Sequence, residues 1–363
     1  MAFPDFEYVS LESLQNREEA QEDPKGFLQR LSSARGVILD EVQRTPDLFS
    51  ELQGMLDTGQ GGPWILTGSQ QFLLNDKISQ TLAGRVAILE LLPFSLAELT
   101  GREGKKPEDI LAVSAEKCTL DTQLNEALLM GSFPRIHDQG LDPVPWLDSY
   151  IQTYVERDVR TLTNIGDLDS FTRFLGLCAG RTGSLLNLSS LGSDAGISHV
   201  TAKKWLSILQ AGYVVHLLRP HHENFGKRLV RSPKLYFTDT GLLCRLLGIR
   251  SHSDLHSHPL RGAIFENLVS SEIRKLFLNR GERPPIWFWR DSRGHEVDFL
   301  IDLGIRKIPL EAKSGVTVPS DAFRGLNHYK EVSGCTDGVL VHGGEAAPYR
   351  RKDFIVRSWR SLS

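Results

Sequence analysis

Short apolar runs, each closed by polar residues, punctuate the first hundred positions. Phe6–Leu11 alternates as a short strand, and the charged stretch from about Glu18 to Ser33 predicts a helix. Gly36-Val37-Ile38-Leu39 is a continuous apolar run, the mark of a strand buried on both faces, and it ends in Asp40-Glu41. Thr45-Pro46-Asp47 then starts a helix with Leu48, Leu52 and Leu56 on one face. A second buried strand, Trp64–Thr67, ends in Gly68-Ser69-Gln70, and a third, Val86–Leu91, follows Gly84-Arg85. This alternation predicts an α/β layer with a mostly parallel sheet.

The pattern changes further along. Residues 101–115 read as an exposed connection. From about Thr122 to Arg160 helices are expected, broken at Gly131-Ser132-Phe133-Pro134, with Tyr150, Tyr154 and Val155 on an apolar face. Leu188-Ser189-Ser190-Leu191 starts a short helix with a serine cap, and Gly196-Ile197-Ser198 turns. Ser198 caps a helix whose Ala202, Trp205, Leu206 and Leu209 share a face. The β-rich Tyr213–Leu218 follows, so the run reads as a winged helix-turn-helix. Beyond it, Gly262–Val269 opens a helix with Phe265, Leu268, Val269 and Ile273 inward. Strands follow at Trp287–Arg290, His295–Ile301 and Lys307–Lys313. On the last strand Ile308, Leu310 and Ala312 share one face, Glu311 and Lys313 the other.

Composition adds little except by exclusion. The chain has 363 residues, 40% hydrophobic and 24% charged, with net charge −3, so it carries no globally basic nucleic-acid coat. Local excess remains: Arg219 to Lys234 carries five basic residues against one acid, Glu223. Cys118, Cys178, Cys244 and Cys335 form no CxxC pair, which favours free thiols in a reducing cytosol. No apolar run approaches the ~18–20 residues that cross a bilayer. MAFPDFEYVSLE has neither a basic n-region nor an apolar h-region, so a signal peptide is not expected in it. A cytoplasmic protein without a membrane partner is the expectation.

Two groups of residues suggest chemistry. Acids at the carboxyl end of a buried strand stand where open α/β sheets bind ligands. In phosphoryl transfer Asp40 would hold magnesium and Glu41 would orient the attacking water, with Thr67 and Ser69 sensing the γ-phosphate and Arg85 supplying positive charge. Acids that merely cap the next helix are the competing reading. In the last third, Glu266 on a helix, Asp298 on a strand, and Glu311 with Lys313 on the next follow the PD-(D/E)XK nuclease pattern, which also arises by chance in α/β proteins. There Asp298 and Glu311 would hold Mg2+ or Mn2+, Lys313 would stabilise charge, and Glu266 would complete or orient the metal shell. Thr201, Lys203 and Lys204 on the second helix of the turn, with Lys227 and Arg228 behind it, suit DNA phosphates or base edges. Winged helices also dock proteins, so a protein partner stays open, as does oligomeric state. His252, His256 and His258 are expected in a solvent-exposed loop, and the basic tail from Tyr349 to Arg360 on a solvated strand or helix face.

The strings GVILDEVQRTPDLFSELQ, WILTGSQQFLL and LAGRVAILELLPFSLAEL resemble bacterial AAA-type P-loop ATPases that carry a C-terminal domain of unknown function with a restriction-endonuclease-like core. SYIQTYVERDVR, RLVRSPKLYFTDTGLLCRLLG, GAIFENLVSSEI and HEVDFLID continue the likeness over nearly the whole chain. The resemblance implies ATP with Mg2+ as cofactor, Asp40 and Glu41 as Walker B acids, and a helical lid from which Arg157 or Arg160 could reach phosphates. It also implies an α/β architecture in four parts: an AAA-type core over residues 1–100, a linker and lid over 101–165, a winged helix over 166–235, and a nuclease-like domain over 236–363. One feature departs from it. Family members open with a G-x-x-x-x-G-K-[ST] loop whose amides cradle phosphate. This sequence has no Gly-Lys-Ser or Gly-Lys-Thr, and Gly104-Lys105-Lys106 and Gly226-Lys227-Arg228 fail the pattern. FEYVSLE matches the strand after the P-loop helix, so a fragment, a misplaced start or a degenerate copy is expected, and in each case the chain as given binds ATP poorly and does not hydrolyse it. The rival is a non-catalytic DNA- or protein-binding scaffold.

Overall fold

A computed structural model describes residues 3–68, 82–113, 122–154, 168–221 and 232–362. They fall into two compact units, residues 1–88 and 89–363.

The first unit is built on a parallel sheet of β1 (Glu7–Ser10), β2 (Val37–Asp40) and β3 (Trp64–Leu66), with β2 central. Helices α1 (Leu14–Glu22), α2 (Pro24–Leu31) and α3 (Leu48–Asp57) pack with it. Asp23 ends α1 and starts α2: its carboxylate accepts the Gly26 N–H at 2.9 Å, and Pro24 takes the first helical position, where no N–H is required. The core joins Phe27, Leu28 and Leu31 to Val37, Leu39, Phe49 and Leu52.

Three expectations for this sheet need correction. Only Val37 and Leu39 of β2 are buried, so the strand has one covered face rather than two. All three residues of β3 are half-buried, because β3 is the sheet's edge. Val86–Leu91 forms no strand, and Ile88, Leu89 and Leu91 are exposed. An apolar run alone cannot specify a strand that has no neighbour to pair with.

In the second unit α4 (Leu96–Leu99), α5 (Leu124–Met130), α6 (Pro134–Gln139) and α7 (Pro143–Thr153) precede α8 (Leu168–Ala179), α9 (Leu188–Ala195) and α10 (His199–Ala211). Asn187, not a serine, caps α9 by accepting the Ser190 N–H at 3.0 Å. Gly196 ends α9 at φ +73°, and Ser198 caps α10 by accepting the Thr201 N–H at 3.1 Å. Trp205 locks α10 to α8 through edge-on contacts with Phe171 and Phe174 at 5.2 and 5.5 Å. An antiparallel ribbon of β4 (Val215–Leu218) and β5 (Lys234–Phe237) follows. Then come α11 (Thr240–Leu246), α12 (His252–Ser257) and the long α13 (Arg261–Leu278).

The C-terminal sheet has six strands: β6 (Ile286–Arg290), β7 (Glu296–Asp302), β8 (Lys307–Lys313), β9 (Val339–His342), β10 (Tyr349–Arg351) and β11 (Phe354–Ser358). Their order is β10-β11-β9-β8-β7-β6, and β8, β9 and β11 run parallel. Phe265, Val269 and Ile273 of α13 share a core with Ile308 and Leu310 of β8. Leu326 and Tyr329 of α14 (Arg324–Ser333) share another with Leu300, Leu340 and Val356. Covered in this way, β8 is buried along its length except at its ends.

Two further expectations fail here. His252 and His256 lie on α12, not in a loop, because Ser251 and Asp254 form a capping box. The basic tail is not solvated throughout: Arg357 is buried and donates to the carbonyl oxygens of Asp109, at 3.2 Å, and Ile110, at 2.5 Å. Arg360 donates to the Thr122 carbonyl at 2.7 Å. Both arginines fasten loops rather than extend a charged surface.

Candidate functional site

The acids of the last third converge. β7 pairs with β8 from Asp302↔Lys307 to Phe299↔Leu310, and one step further the same register brings Asp298 opposite Glu311. There the ladder opens, and Asp298 Oδ2 accepts the Ala312 N–H at 2.9 Å. The two carboxyls are 8% and 4% exposed by residue. Glu311 also meets Lys313 Nζ at 2.9 Å. Asp298, Glu311, Lys313 and Glu296 line a cleft of about 370 Å³ with Arg293 and Arg324. Gly325 lets α14 approach it: a Cβ there would collide with Glu311 Oε1 and the Glu296 carbonyl.

Glu266, from α13, has different company. Its Oε1 accepts from Lys234 Nζ at 2.9 Å and from the Tyr236 hydroxyl at 2.5 Å. Lys234 also meets Glu296 at 2.6 Å, and Glu296 meets Arg290 at 3.0 Å. By sequence Lys234 falls among the wing's basic residues, but it is 2% exposed and belongs to this cluster. A lysine opening the apolar strand Lys234-Leu235-Tyr236-Phe237 was the available signal. Two residues apart on β5, Lys234 and Tyr236 deliver their polar tips to the same carboxylate.

Electrostatics follow from this crowding. Burial, then the Asp298 charge, push Glu266 up to about 7. The same two causes drive Glu311 well above the usual carboxylate range. Burial pulls the Lys234 ammonium down, but Glu266, Asp298 and Glu296 outweigh it and keep the group above its ordinary value. Lys313 is held up in the same way by Asp298 and Glu311. Neighbouring, largely buried carboxyls supplied with few donors are a donor set that suits a hard divalent cation.

The strand-end acids of the first unit are arranged otherwise. Thr67 Oγ1 donates to Asp40 Oδ1 at 2.5 Å, and Tyr8 donates to Oδ2 at 2.8 Å. These bonds, Thr67's first, hold Asp40 below the usual carboxylate range. Glu41 sits at φ +57°, a left-handed conformation unusual for a residue with a Cβ, and accepts from Gln43 at 2.8 Å. Arg85 is engaged by Asp57, at 2.5 and 3.1 Å, rather than by either acid. Lys203 and Lys204 are exposed on α10, beside the half-buried Thr201. Ser69, Arg157, Arg160, Lys227 and Arg228 lie outside the described residues, as does Cys118.

Comparison with known proteins divides the chain in three. Residues 2–100 match the family described as AAA domain. Residues 121–253 match a domain of unknown function (DUF8612), and residues 261–361 match another (DUF4143). The chain is 31% identical over 285 residues to uncharacterized protein Rv2008c of Mycobacterium tuberculosis, covering 78% of this chain and 60% of that one. Uncharacterized protein Mb2031c of Mycobacterium bovis matches to the same extent. The chain thus spans 60% of the length of these curated relatives. No solved structure matches it. The chain is therefore similar to an AAA domain over residues 2–100 and to two domains of unknown function beyond it. Among the described residues no helix is long and apolar enough to cross a membrane.

Proposed function

We propose that this chain is an AAA-related protein whose C-terminal cleft, a nuclease-like site, acts on a phosphodiester of DNA. The observation that carries this reading is the meeting of Asp298 and Glu311 across two strands, with Lys313 beside them. Asp298 and Glu311 would hold Mg2+ or Mn2+, which when bound supplies charge neutralisation and Lewis acidity toward a phosphate. Lys313 lines the cleft and would stabilise negative charge gathering on the phosphorus oxygens. Glu266, already committed to Lys234 and Tyr236, acts as a positioning group for Asp298 rather than as a ligand. Helices α9 and α10 with the β4–β5 ribbon serve as a winged helix, in which Thr201, Lys203 and Lys204 meet duplex phosphates.

The first unit is given no catalytic step. Asp40 already accepts from Thr67 and Tyr8, and the sequence holds no glycine-lysine phosphate loop, so the residues present do not fit ATP by themselves. One observation favours a second reading, a non-catalytic DNA- or protein-binding scaffold. Lys234 supplies cationic charge to Glu266 and Glu296 from within the fold, leaving two of the four acids, Asp298 and Glu311, for a metal.

Supercoiled plasmid incubated with Mg2+ or Mn2+ and the wild-type chain or Asp298→Ala separates the two. Nicking by wild type alone supports cleavage. Equal nicking by both removes it, and salt-sensitive duplex binding without nicking supports the scaffold.

A further inference from the structure

Beside the acidic cleft lies a second group of potential ligands, unlike the first in chemistry. Asp291 closes the turn after β6, His295 stands just before β7, and His328 projects from α14. His295 Nδ1 lies 2.9 Å and His328 Nε2 lies 3.2 Å from the same oxygen, Asp291 Oδ2. The three ligand atoms fall within 4.8 Å of one another, and no other such group of three exists among the described residues. The other Asp291 oxygen is fixed by the backbone N–H groups of Arg293 and His295, at 2.8 and 2.9 Å. The carboxylate is thereby aimed before anything binds.

The imidazoles are also held. They stack with centroids 3.8 Å apart and planes 25° apart, and Trp289 packs against His328 at 5.9 Å. The trio is partly open, with side chains 21–35% exposed, and a hollow of about 380 Å³ lies against both histidines.

We propose that Asp291, His295 and His328 bind a borderline divalent ion, Zn2+ by preference, with water completing its shell. Bonds of about 2.0–2.1 Å at angles between square and tetrahedral put neighbouring ligand atoms roughly 2.9–3.4 Å apart. The two nitrogen–oxygen separations already lie in that range, so binding needs the hydrogen-bonding protons to leave and the stacked rings to swing apart until both nitrogen lone pairs converge on the ion. Two imidazoles with one carboxylate select Zn2+, Co2+ or Ni2+ over Mg2+, which demands oxygen ligands and retains its water. Glu331 Oε2 lies 3.9 Å from His328 Nδ1, beyond hydrogen-bond reach, so its exposed carboxylate adds only a long-range charge favouring the ion. Because His295 and Arg324 line both hollows, the ion would stand at the rim of the acidic cleft. There it faces Glu296, Asp298 and Glu311, whose charge is offset by Lys313, Arg293 and Arg324 on the same lining. The site does not depend on cleavage by that cleft.

Zn2+ titration of the full chain, stripped of metal and competed against a chromophoric chelator, tests the proposal. Wild type should take up one tight equivalent. His328→Gln and Asp291→Asn should weaken it by more than the about 10–100-fold typical of an outer-shell change. Asp298→Ala, and a double His252→Gln/His256→Gln change on α12, should leave it intact. The ligand-field absorption of Co2+ in the wild-type chain, with its intensity, reports the nitrogen–oxygen coordination without any variant. Wild-type Zn2+ affinity in His328→Gln overturns the proposal. So does loss of the tight equivalent in the α12 variant, or absence of uptake by the folded wild-type chain.

Discussion

Asp40 and Glu311 both lie near the carboxyl ends of apolar strands, and their surroundings treat them in opposite ways. Asp40 is met by hydroxyls: Thr67, Tyr8 and Ser10 donate to it, and its ionised form is favoured. Glu311 is met chiefly by another carboxyl, with Lys313 as its cation, and its protonated form is favoured. A carboxylate satisfied by hydroxyls has little need of a cation. Two carboxyls brought together out of water pay for their proximity until a proton or a metal ion arrives. The same residue type in similar strand positions is therefore a settled anchor in one unit and an unsettled charge in the other.

The largest predicted effect breaks the one strong compensation in the crowded cluster. Lys234→Met should destabilise the chain by up to about 3–5 kcal/mol, because it leaves the half-buried Glu266 without its ammonium and Glu296 with Arg290 alone. Adding Glu266→Gln should recover part of the loss in urea unfolding, and no recovery would mean that Lys234 acts by packing alone. Next comes relief of the crowding. Glu266 sits at about 7, above its ordinary 4.5, so the folded chain binds its proton more tightly than the unfolded chain does. That contribution is fully present below about pH 4.5 and fades as pH rises through 7. Asp298→Asn should thus stabilise the chain by about 1–2 kcal/mol above pH 7 and by progressively less toward pH 5. Melting temperatures across that range check the sign, and a gain that grew toward acid would reverse the assignment.

The smallest effect belongs to the first unit. Thr67→Val should cost about 1 kcal/mol at neutral pH, the net worth of a hydrogen bond to a charged group whose other donors remain. Asp40 is held below its ordinary value, so this stability exists above the unfolded range and is lost as pH falls through the folded value. A pH-independent cost would show that Thr67 matters through packing rather than through Asp40.

Much of this contrast was legible from sequence, though unevenly. The strands bearing Asp298, Glu311 and Lys313 could be read because period-2 alternation and continuous apolar runs mark buried strands, and the aromatic run Trp287-Phe288-Trp289 marks their neighbour. The register that sets Asp298 against Glu311 could not, since pairing is a long-range property. Lys234 looked like wing charge because its burial depends on α13 and β7, distant in sequence. The run from Val86 to Leu91 misled for the complementary reason: its apolar residues suit a strand, but it pairs with none. His295 and His328 lie 33 positions apart and meet only because α14 folds back over β7.

Mg2+ titration by calorimetry at pH 8 tests the proposed cation site of the crowded pair most directly, comparing wild type with Asp298→Ala and with His328→Gln. Saturable Mg2+ binding in wild type and His328→Gln, lost in Asp298→Ala, is the predicted result. Mg2+ binding that survives Asp298→Ala unchanged, or is missing from the folded wild-type chain, would contradict it.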